Sequence, residues 1–364
     1  MARCVVVTNI PTPYRNPVYA RLPEDRFKIV FCARTESNRQ WSLAEPPFPH
    51  VFLKARARTL ADGYNHVHDN RDVWRALNAL RPQVVVTTGF NPTHLYAFAW
   101  ARLHGARHVC MTDGTLASEA GLSWRHRAVR RFVFRHSASF IAASHGGVEL
   151  YRSYGLPPDA IFRSPLCADN PRYAAAARTP EQRDFDVMFV GQLHERKLPL
   201  FFAEVCAALV RERGHCRALV AGDGPLRAEM LGALDSADVD THYAGFVQPE
   251  ALPAWYGRCR VLLFPTRLDP WGVVANEAMA AGTPVITTPA AGVAGDLVID
   301  GATGIVREPE IAAWAAAVQI LLGDAARWQA LSAAAQAHVA RFTFAAAAQG
   351  LVAACDHACL QGRR

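Results

Sequence analysis

No glycine occurs from Thr8 to Pro17, the stretch that follows the first strand-like run of this 364-residue chain. A dinucleotide fingerprint of the Gly-x-Gly-x-x-Gly kind needs glycines there, so that the turn is tight and backbone can approach a pyrophosphate; this argues against a nicotinamide dehydrogenase. Nor does any window reach the ~18 uncharged apolar residues of a membrane-spanning helix, and Met1 leads almost directly into Cys4 to Thr8, so neither a signal peptide nor a span is expected. The nine cysteines are scattered, mostly within apolar runs, without zinc-site spacing or a disulfide framework, which suits a reducing cytoplasm. Cys355 and Cys359, four apart with His357 between them, read as packing residues, and no metal site is assigned. Low-complexity tracts are absent too, so both halves are expected to fold.

What is present is a well-packed composition, 51% apolar and 20% charged, in a chain too long for one core at ~150 residues per domain. The net charge of +7 is unevenly spread. Residues 1–170 hold 22 Lys/Arg against 12 Asp/Glu, whereas residues 171–364 hold 17 against 20, which is +10 and −3. The N-terminal half therefore suits an anionic partner: a membrane surface, a phosphorylated acceptor or nucleic acid. Nucleic acid is set aside, because the cations lack the interleaved aromatics of a stacking platform.

Short apolar runs alternate with helical patterns along the first half. Cys4 to Thr8, Phe27 to Cys32, Val84 to Thr88, His108 to Met111 and Ser139 to Ala142 read as strands; Asn70 to Leu80, Thr93 to His104 and His145 to Tyr154 read as amphipathic helices. The pattern pauses in a polar stretch, 169–184, read as a linker, and resumes with strands at Asp186 to Val190, Arg217 to Ala221, His242 to Gly245, Val261 to Phe264 and Val285 to Thr287. Alternation of this kind predicts an α/β fold of two Rossmann-like β/α/β domains, over 1–168 and 185–344, facing each other across a cleft lined by the carboxyl ends of their strands. A C-terminal helix, 345–364, is expected to pack back on the first domain.

Three segments after strands carry chemistry. Gly191, Gln192, Leu193, His194, Glu195, Arg196 and Lys197 lead into a helix at Leu198; a glycine, two cations and a helix N-terminus together make an anion site fit for a diphosphate, although the cations alone would pass for a solvated surface pair. Gly222, Asp223, Gly224 and Pro225 form a second turn, which is also a common plain connector. The third segment runs from Phe264 through Asp269, Pro270, Trp271, Gly272, Val273, Val274 and Glu277 to Gly282. Free backbone donors of Gly272 to Val274 would face the loop. Glu277, set among small and apolar residues, needs a donor partner, and two ribose hydroxyls would serve.

An acid, seven residues and a Glu, followed by Ala-Met-Ala-Ala-Gly-Thr-Pro-Val, resembles the donor signature of family 4 glycosyltransferases, with Asp269 in place of the usual first Glu. The Gly191 to Lys197 loop and the Gly222 to Pro225 turn fall at comparable positions. The resemblance implies the two-domain GT-B fold and a retaining, metal-independent transfer from a nucleotide-diphosphate sugar to a glycan or lipid-linked acceptor. It also implies roles for individual residues. Arg196 and Lys197 would neutralise the diphosphate, Glu277 would hold the ribose, Asp269 with the Gly272, Val273 and Val274 amides would hold the sugar, and Gly245, Phe246 and Val247 would frame the base.

The first half departs from that family. Asn9, Ile10, Pro11, Thr12, Pro13, Tyr14 and Arg15 replace its glycine-rich loop, and Thr112, Asp113, Gly114 and Thr115 stand where its histidine is expected. Asp113 is thus the candidate for touching the transferred sugar or the acceptor hydroxyl, with Asn91 and His94 behind it; a turn aspartate is the plain alternative. A helix from Trp124 to His136 is expected to turn Ala128, Val129, Phe132 and Val133 to the core and Arg127, Arg130, Arg131 and Arg135 outward, either as a solvated face or as a contact for anionic lipid through Arg125 to Arg135. Asp238 and Asp240 imitate a metal-binding pair but lie in a polar run and read as surface. A nucleotide-sugar epimerase or glycosyl phosphorylase on the same fold remains the alternative, and it would need an acid/base pair that the sequence does not display.

Overall fold

Runs of β-branched residues such as Cys4-Val-Val-Val-Thr8 are buried along their whole length, as strands must be when helices cover both faces of a parallel sheet. The computed structural model describes residues 3–54, 56–60 and 66–361. The chain divides into two units, Met1–Leu166 with Phe344–Arg364, and Cys167–Thr343.

In the first unit the elements are β1 (Cys4–Thr8), α1 (Asn16–Tyr19), β2 (Phe27–Phe31), β3 (His50–Phe52), β4 (Ala57–Thr59), β5 (His66–His68), α2 (Val73–Leu80), β6 (Val84–Thr87), α3 (Pro92–Leu103), β7 (Arg107–Thr112), α4 (Leu116–Ala120), α5 (Trp124–Arg135), β8 (Ser139–Ala142), α6 (His145–Ser153) and β9 (Ile161–Arg163). Seven strands form one sheet in the order β3-β2-β1-β6-β7-β8-β9, all parallel, while β4 and β5 pair antiparallel beside it. Val6 lies in register with Ile29 on one side and Val86 on the other. The order reverses at β1, so the loop after β1 opens at the point where such sheets bind ligands.

The second unit contains α7 (Asn170–Ala174), β10 (Phe185–Val190), α8 (Pro199–Arg213), β11 (Arg217–Ala221), α9 (Arg227–Ser236), β12 (Asp240–Gly245), α10 (Leu252–Tyr256), β13 (Cys259–Phe264), α11 (Val273–Ala280), β14 (Val285–Thr287), β15 (Ile305–Val306), α12 (Ile311–Gly323) and α13 (Ala325–Val339). Its sheet runs β12-β11-β10-β13-β14-β15, again all parallel, with the reversal at β10. Both units are Rossmann-like. The last helix, α14 (Phe344–Leu360), belongs to the first unit and packs on β7, β8 and β9 through Ala347, Leu351, Ala354 and Ala358, an i, i+4, i+7 stripe. The final three residues of the helix expected over 345–364 lie outside the described residues.

The stretch 169–184 is not a free linker. Its α7 packs on α10 and α11, and Arg183 is buried within the second unit. The Arg183 guanidinium donates to the carbonyls of Arg178, Tyr256, Cys259, Ala281 and Gly282 and to Thr283 Oγ1, at 2.7–3.2 Å, and it lies over the Trp328 ring. One side chain thereby satisfies orphan carbonyls at the ends of α10 and α11. Composition suggested a connector because Arg, Pro and Ala-rich segments are usually solvated; the buried carbonyls that need this arginine lie about 75 to 100 residues further along the chain.

Replacing Arg183 with alanine strands several buried acceptors at once. The expected loss of unfolding free energy is ~3–5 kcal/mol, read from urea denaturation; Arg183→Lys, with three donors, should recover only part of it. Parental stability in Arg183→Ala would show that these carbonyls find other partners.

Candidate functional site

The reversal of strand order at β10 brings the loop after β10 against the loop after β13. Arg267 N donates to Arg196 O at 2.8 Å, Thr266 Oγ1 to the same oxygen at 3.0 Å, and Arg196 Nη1 to Leu268 O at 3.2 Å. Lys197 Nζ pairs with Asp269 Oδ2, while Asp269 Oδ1 accepts from Trp271 N at 3.1 Å. Burial alone would raise the Asp269 carboxyl, but Lys197 and the Trp271 amide outweigh it and hold the group below its ordinary range. The two residues assigned separately to phosphate and to sugar thus meet each other. After the loop, Glu195–Lys197 makes a 3-10 turn and Leu198 sits in the left-handed region at φ +52°, so α8 opens at Pro199 rather than directly at Leu198. Proline at the first helical position fixes that start.

Gly191 has nothing within 4 Å of where a Cβ would stand, whereas a Cβ on Gly222 would overlap the Gly191 carbonyl and one on Gly224 would lie 2.5 Å from the Leu193 carbonyl. The turn glycines therefore press the second loop onto the first, held by Gly191 N to Ala221 O at 3.0 Å and Leu193 N to Asp223 O at 2.9 Å. Gly222 N also donates to Gly245 O at 2.7 Å, which brings the half-buried Gly245, Phe246 and Val247 at the end of β12 beside the same edge. Gly272 is the N-cap of α11 at φ +105°, a left-handed conformation that favours glycine, and no side chain caps the helix; Val273 and Val274 are its first two residues.

Glu277, half-buried on α11, has donors that its own surroundings in the sequence do not reveal. Tyr256 of α10 donates to its Oε2 at 2.7 Å, and Tyr173 of α7 is a second hydroxyl donor. Burial pushes the Glu277 carboxyl up to about 7 against the opposing pull of these two hydroxyls. The rings of Tyr173 and Tyr256 meet edge to face at 5.7 Å. Nothing in the local pattern could have located them, since α7 and α10 precede Glu277 by roughly 100 and 20 residues.

In the first unit, Arg15 on the loop after β1 is buried and reaches Asp113 Oδ1 at 3.0 Å and Ser164 O at 3.3 Å. Asp113, at the end of β7, keeps a side-chain exposure of 45%. These two residues line a cavity of about 130 Å³ together with Asn9, Tyr14, Glu36 and Arg39. Glu36 has no signal in the sequence; its Oε1 accepts from His68 Nε2 at 2.9 Å, and β4 and β5, the second of which carries His66 and His68, have three residues each, too few to show in the hydropathy pattern. Asn91 Nδ2 reaches Asn9 Oδ1 at 3.4 Å. His94 is buried with neither ring nitrogen hydrogen-bonded, and burial pushes it down to about 3, so it is a neutral core side chain.

Helix α5 corrects the face expected from its sequence. Phe132 is 58% exposed, and Ala128 and Val129 are exposed as well, while Arg130 turns inward to Glu119 at 2.6 Å and lies over the Phe90 ring. Only Val133 and Phe134 are buried. An arginine reads as a solvent residue by type, but a buried carboxylate partner reverses the preference. Among the described residues no three His, Cys, Asp or Glu converge as a metal site, and no helix is long and apolar enough to cross a membrane.

Each half of the chain matches a known family. Residues 11–167 match the model of a glycosyl transferase 4-like domain, and residues 184–324 match that of glycosyl transferases group 1. A D-inositol 3-phosphate glycosyltransferase of Nocardia farcinica is 33% identical over 335 residues, 84% of this chain and 69% of the relative. The alpha-D-kanosaminyltransferase of Streptomyces kanamyceticus is 28% identical over 239 residues; that match spans 61% of each chain, under two thirds of the relative's length. Among solved structures, Anabaena HepE in complex with UDP superposes with a TM-score of 0.77 over 96% of this chain and 98% of its own, at 15% identity, which establishes a shared GT-B fold. With a close relative along most of its length and a family match on each half, the chain belongs to the glycosyltransferases, a 4-like domain followed by a group 1 domain.

Proposed function

We propose that the protein transfers a sugar, with retention and without a metal ion, from a nucleoside-diphosphate sugar to a hydroxyl of a glycan or lipid-linked acceptor. The observation that carries this is the convergence of the Arg196–Lys197 turn with the Leu268–Asp269 loop that leads into the uncapped start of α11, the helix that also carries Glu277 with its raised affinity for protons. A fold neighbour solved with UDP supports a nucleotide donor. In this reading Glu277 takes the ribose hydroxyls, Gly245 to Val247 frame the base, and Asp269 with the amides of Gly272, Val273 and Val274 holds the sugar. Arg196 and Lys197 face the diphosphate.

As the bond from the anomeric carbon to the phosphate oxygen breaks, its electron pair moves onto that oxygen. The two cations stabilise this growing charge in place of a divalent ion. The acceptor hydroxyl attacks from the same face, and its proton passes to the departing phosphate. Asp113, oriented by Arg15, accepts a hydrogen bond from the incoming hydroxyl.

The protein works in the cytoplasm, against the inner membrane surface. Trp124 is 69% exposed and Phe132 58%, and they stand on α5 with Arg125, Arg127, Arg131 and Arg135, none of which has a carboxylate partner among the described ion pairs. Cations with exposed aromatic rings on one helix suit the headgroup boundary of an anionic bilayer.

UDP and GDP titrations across pH, in EDTA, test the donor site. Ribose hydroxyls donate to an ionised Glu277, so binding must remove the proton that the free protein holds below about 7. Affinity for the favoured nucleotide should rise with pH up to that point, by at most ~10-fold per unit, and level off above it. Glu277→Gln should weaken binding and remove this part of the slope. A wild-type profile matching that of the mutant would take Glu277 out of the site, and loss of turnover in EDTA would overturn the metal-free mechanism.

Vesicles of phosphatidylglycerol test the membrane face. At about 1 kcal/mol per cation near the surface, sedimentation with vesicles should be strong at low salt, fall steeply as salt rises, and vanish when Arg125, Arg127, Arg131 and Arg135 are replaced by Gln. Indifference of the parent protein to these vesicles at low salt would end the proposal.

A further inference from the structure

Two cavities adjoin in the first unit, and each balances its own charge. In the cavity of about 130 Å³ the cations Arg15 and Arg39 stand with the anions Asp113 and Glu36, paired at 3.0 and 3.9 Å. In its neighbour of about 200 Å³, Arg34 and Glu45 pair at 3.0 Å beside Trp41, Phe52, Pro11 and Pro46. Ile10 lines both. The wall between them is aromatic: Tyr14 of the smaller cavity meets Trp41 of the larger edge-on at 6.2 Å, and Arg39 lies over the Trp41 ring at 4.8 Å.

From this geometry we infer that the two cavities are consecutive sugar subsites for an uncharged carbohydrate acceptor at least two units long, the unit that receives the transferred sugar sitting in the smaller one. The inference rests on the transferase function proposed above. Paired acids and bases offer donors and acceptors side by side, which matches the vicinal hydroxyls of a sugar, each both donor and acceptor. A phosphate or carboxylate gains no net attraction there, because Glu36 and Asp113 offset the charges of Arg15 and Arg39. In the larger cavity Trp41 supplies apolar surface for the C–H face of a ring, while Arg34, which lies over the Phe52 ring at 4.1 Å, and Glu45 fix its orientation. Four arginines without a carboxylate partner among the described ion pairs, Arg125, Arg127, Arg131 and Arg135, lie elsewhere, on α5, so the positive charge of the N-terminal half and the identity of the acceptor are separate matters.

The test uses p-nitrophenyl monoglycosides of glucose, galactose, mannose and N-acetylglucosamine, disaccharide glycosides ending in the same sugars, and myo-inositol 1-phosphate as an anionic probe. Saturation-transfer NMR reads binding to the full-length protein without a donor. The best disaccharide should bind about 10-fold more tightly than its monosaccharide, and both more tightly than inositol phosphate. Trp41→Ala should bring the ratio of disaccharide to monosaccharide affinity close to one, Trp41→Phe should keep most of it, and Glu36→Gln should weaken both sugars; unchanged melting curves show that the variants fold. Equal affinity for mono- and disaccharides in the parent, preference for inositol phosphate, or no binding of any sugar would overturn the subsites. Retained nucleotide binding in that event leaves the transferase function standing, whereas failure of both UDP and GDP to bind strikes that function itself.

Discussion

The ion pair between Lys197 and Asp269 is the contact on which the second unit's site depends. Both side chains are withdrawn from water, at 14% and 13% exposure, and an ion so placed costs several kcal/mol unless an opposite charge meets it. Neither loop could hold its charge inward alone. Because β10 and β13 are neighbours, the loops that follow them leave the sheet side by side, and the pair closes between them. The second oxygen of Asp269 takes the Trp271 amide, which sets the approach to Gly272 and the first turn of α11. Glu277 then falls on that helix about one and a half turns in. One electrostatic contact thereby fixes a cationic turn, an uncapped helix start and a carboxyl group relative to one another.

That arrangement also sets how positive the site is. Asp269 offsets the charge of Lys197, whereas Arg196 bonds a carbonyl, Leu268 O, and keeps its charge. An ammonium has three donor protons and can serve a second acceptor without leaving the first. A bound anion can therefore add to the pair rather than break it. The aspartate stands where the family usually has a glutamate, and its shorter side chain still meets a lysine from the facing loop.

Much of this was legible from the chain. Long runs of Val, Ile and Phe between turn residues located the central strands, because a strand buried on both faces must be apolar throughout. Strands β3, β9 and β15 escaped notice: they have two or three residues each, and His50-Val-Phe52 follows a proline-rich stretch. The cationic turn and Glu277 could be picked out because charge among glycines or small apolar residues demands a reason. Their partners could not. Tyr173, Tyr256, Arg183 and Glu119 act through contacts with residues distant in sequence, and such pairings leave no periodicity. Arg130 and Phe132 show the limit most clearly, since residue type puts the arginine outside and the ring inside, whereas the ion pair with Glu119 draws Arg130 inward and Phe132 is exposed.

The two units share one topology but line its switch point differently, and the residues after the central strand decide how. After β10 the chain has Gly191, and the facing turn has Gly222 and Gly224, so backbone packs on backbone and peptide groups crowd the sheet edge. Amide donors and a helix start favour anions irrespective of side-chain identity. After β1 the chain has Pro11 and Pro13, which remove donors and stiffen the loop, so it offers few amides and presents Tyr14 and Arg15 instead. A pocket built from such side chains can pair each cation with an acid, as Arg15 is paired with Asp113, and so lose the preference for anions that its sheet topology would otherwise confer. The absence of glycine between Thr8 and Pro17 therefore has a structural consequence: side chains rather than peptide groups line the switch point of the first sheet.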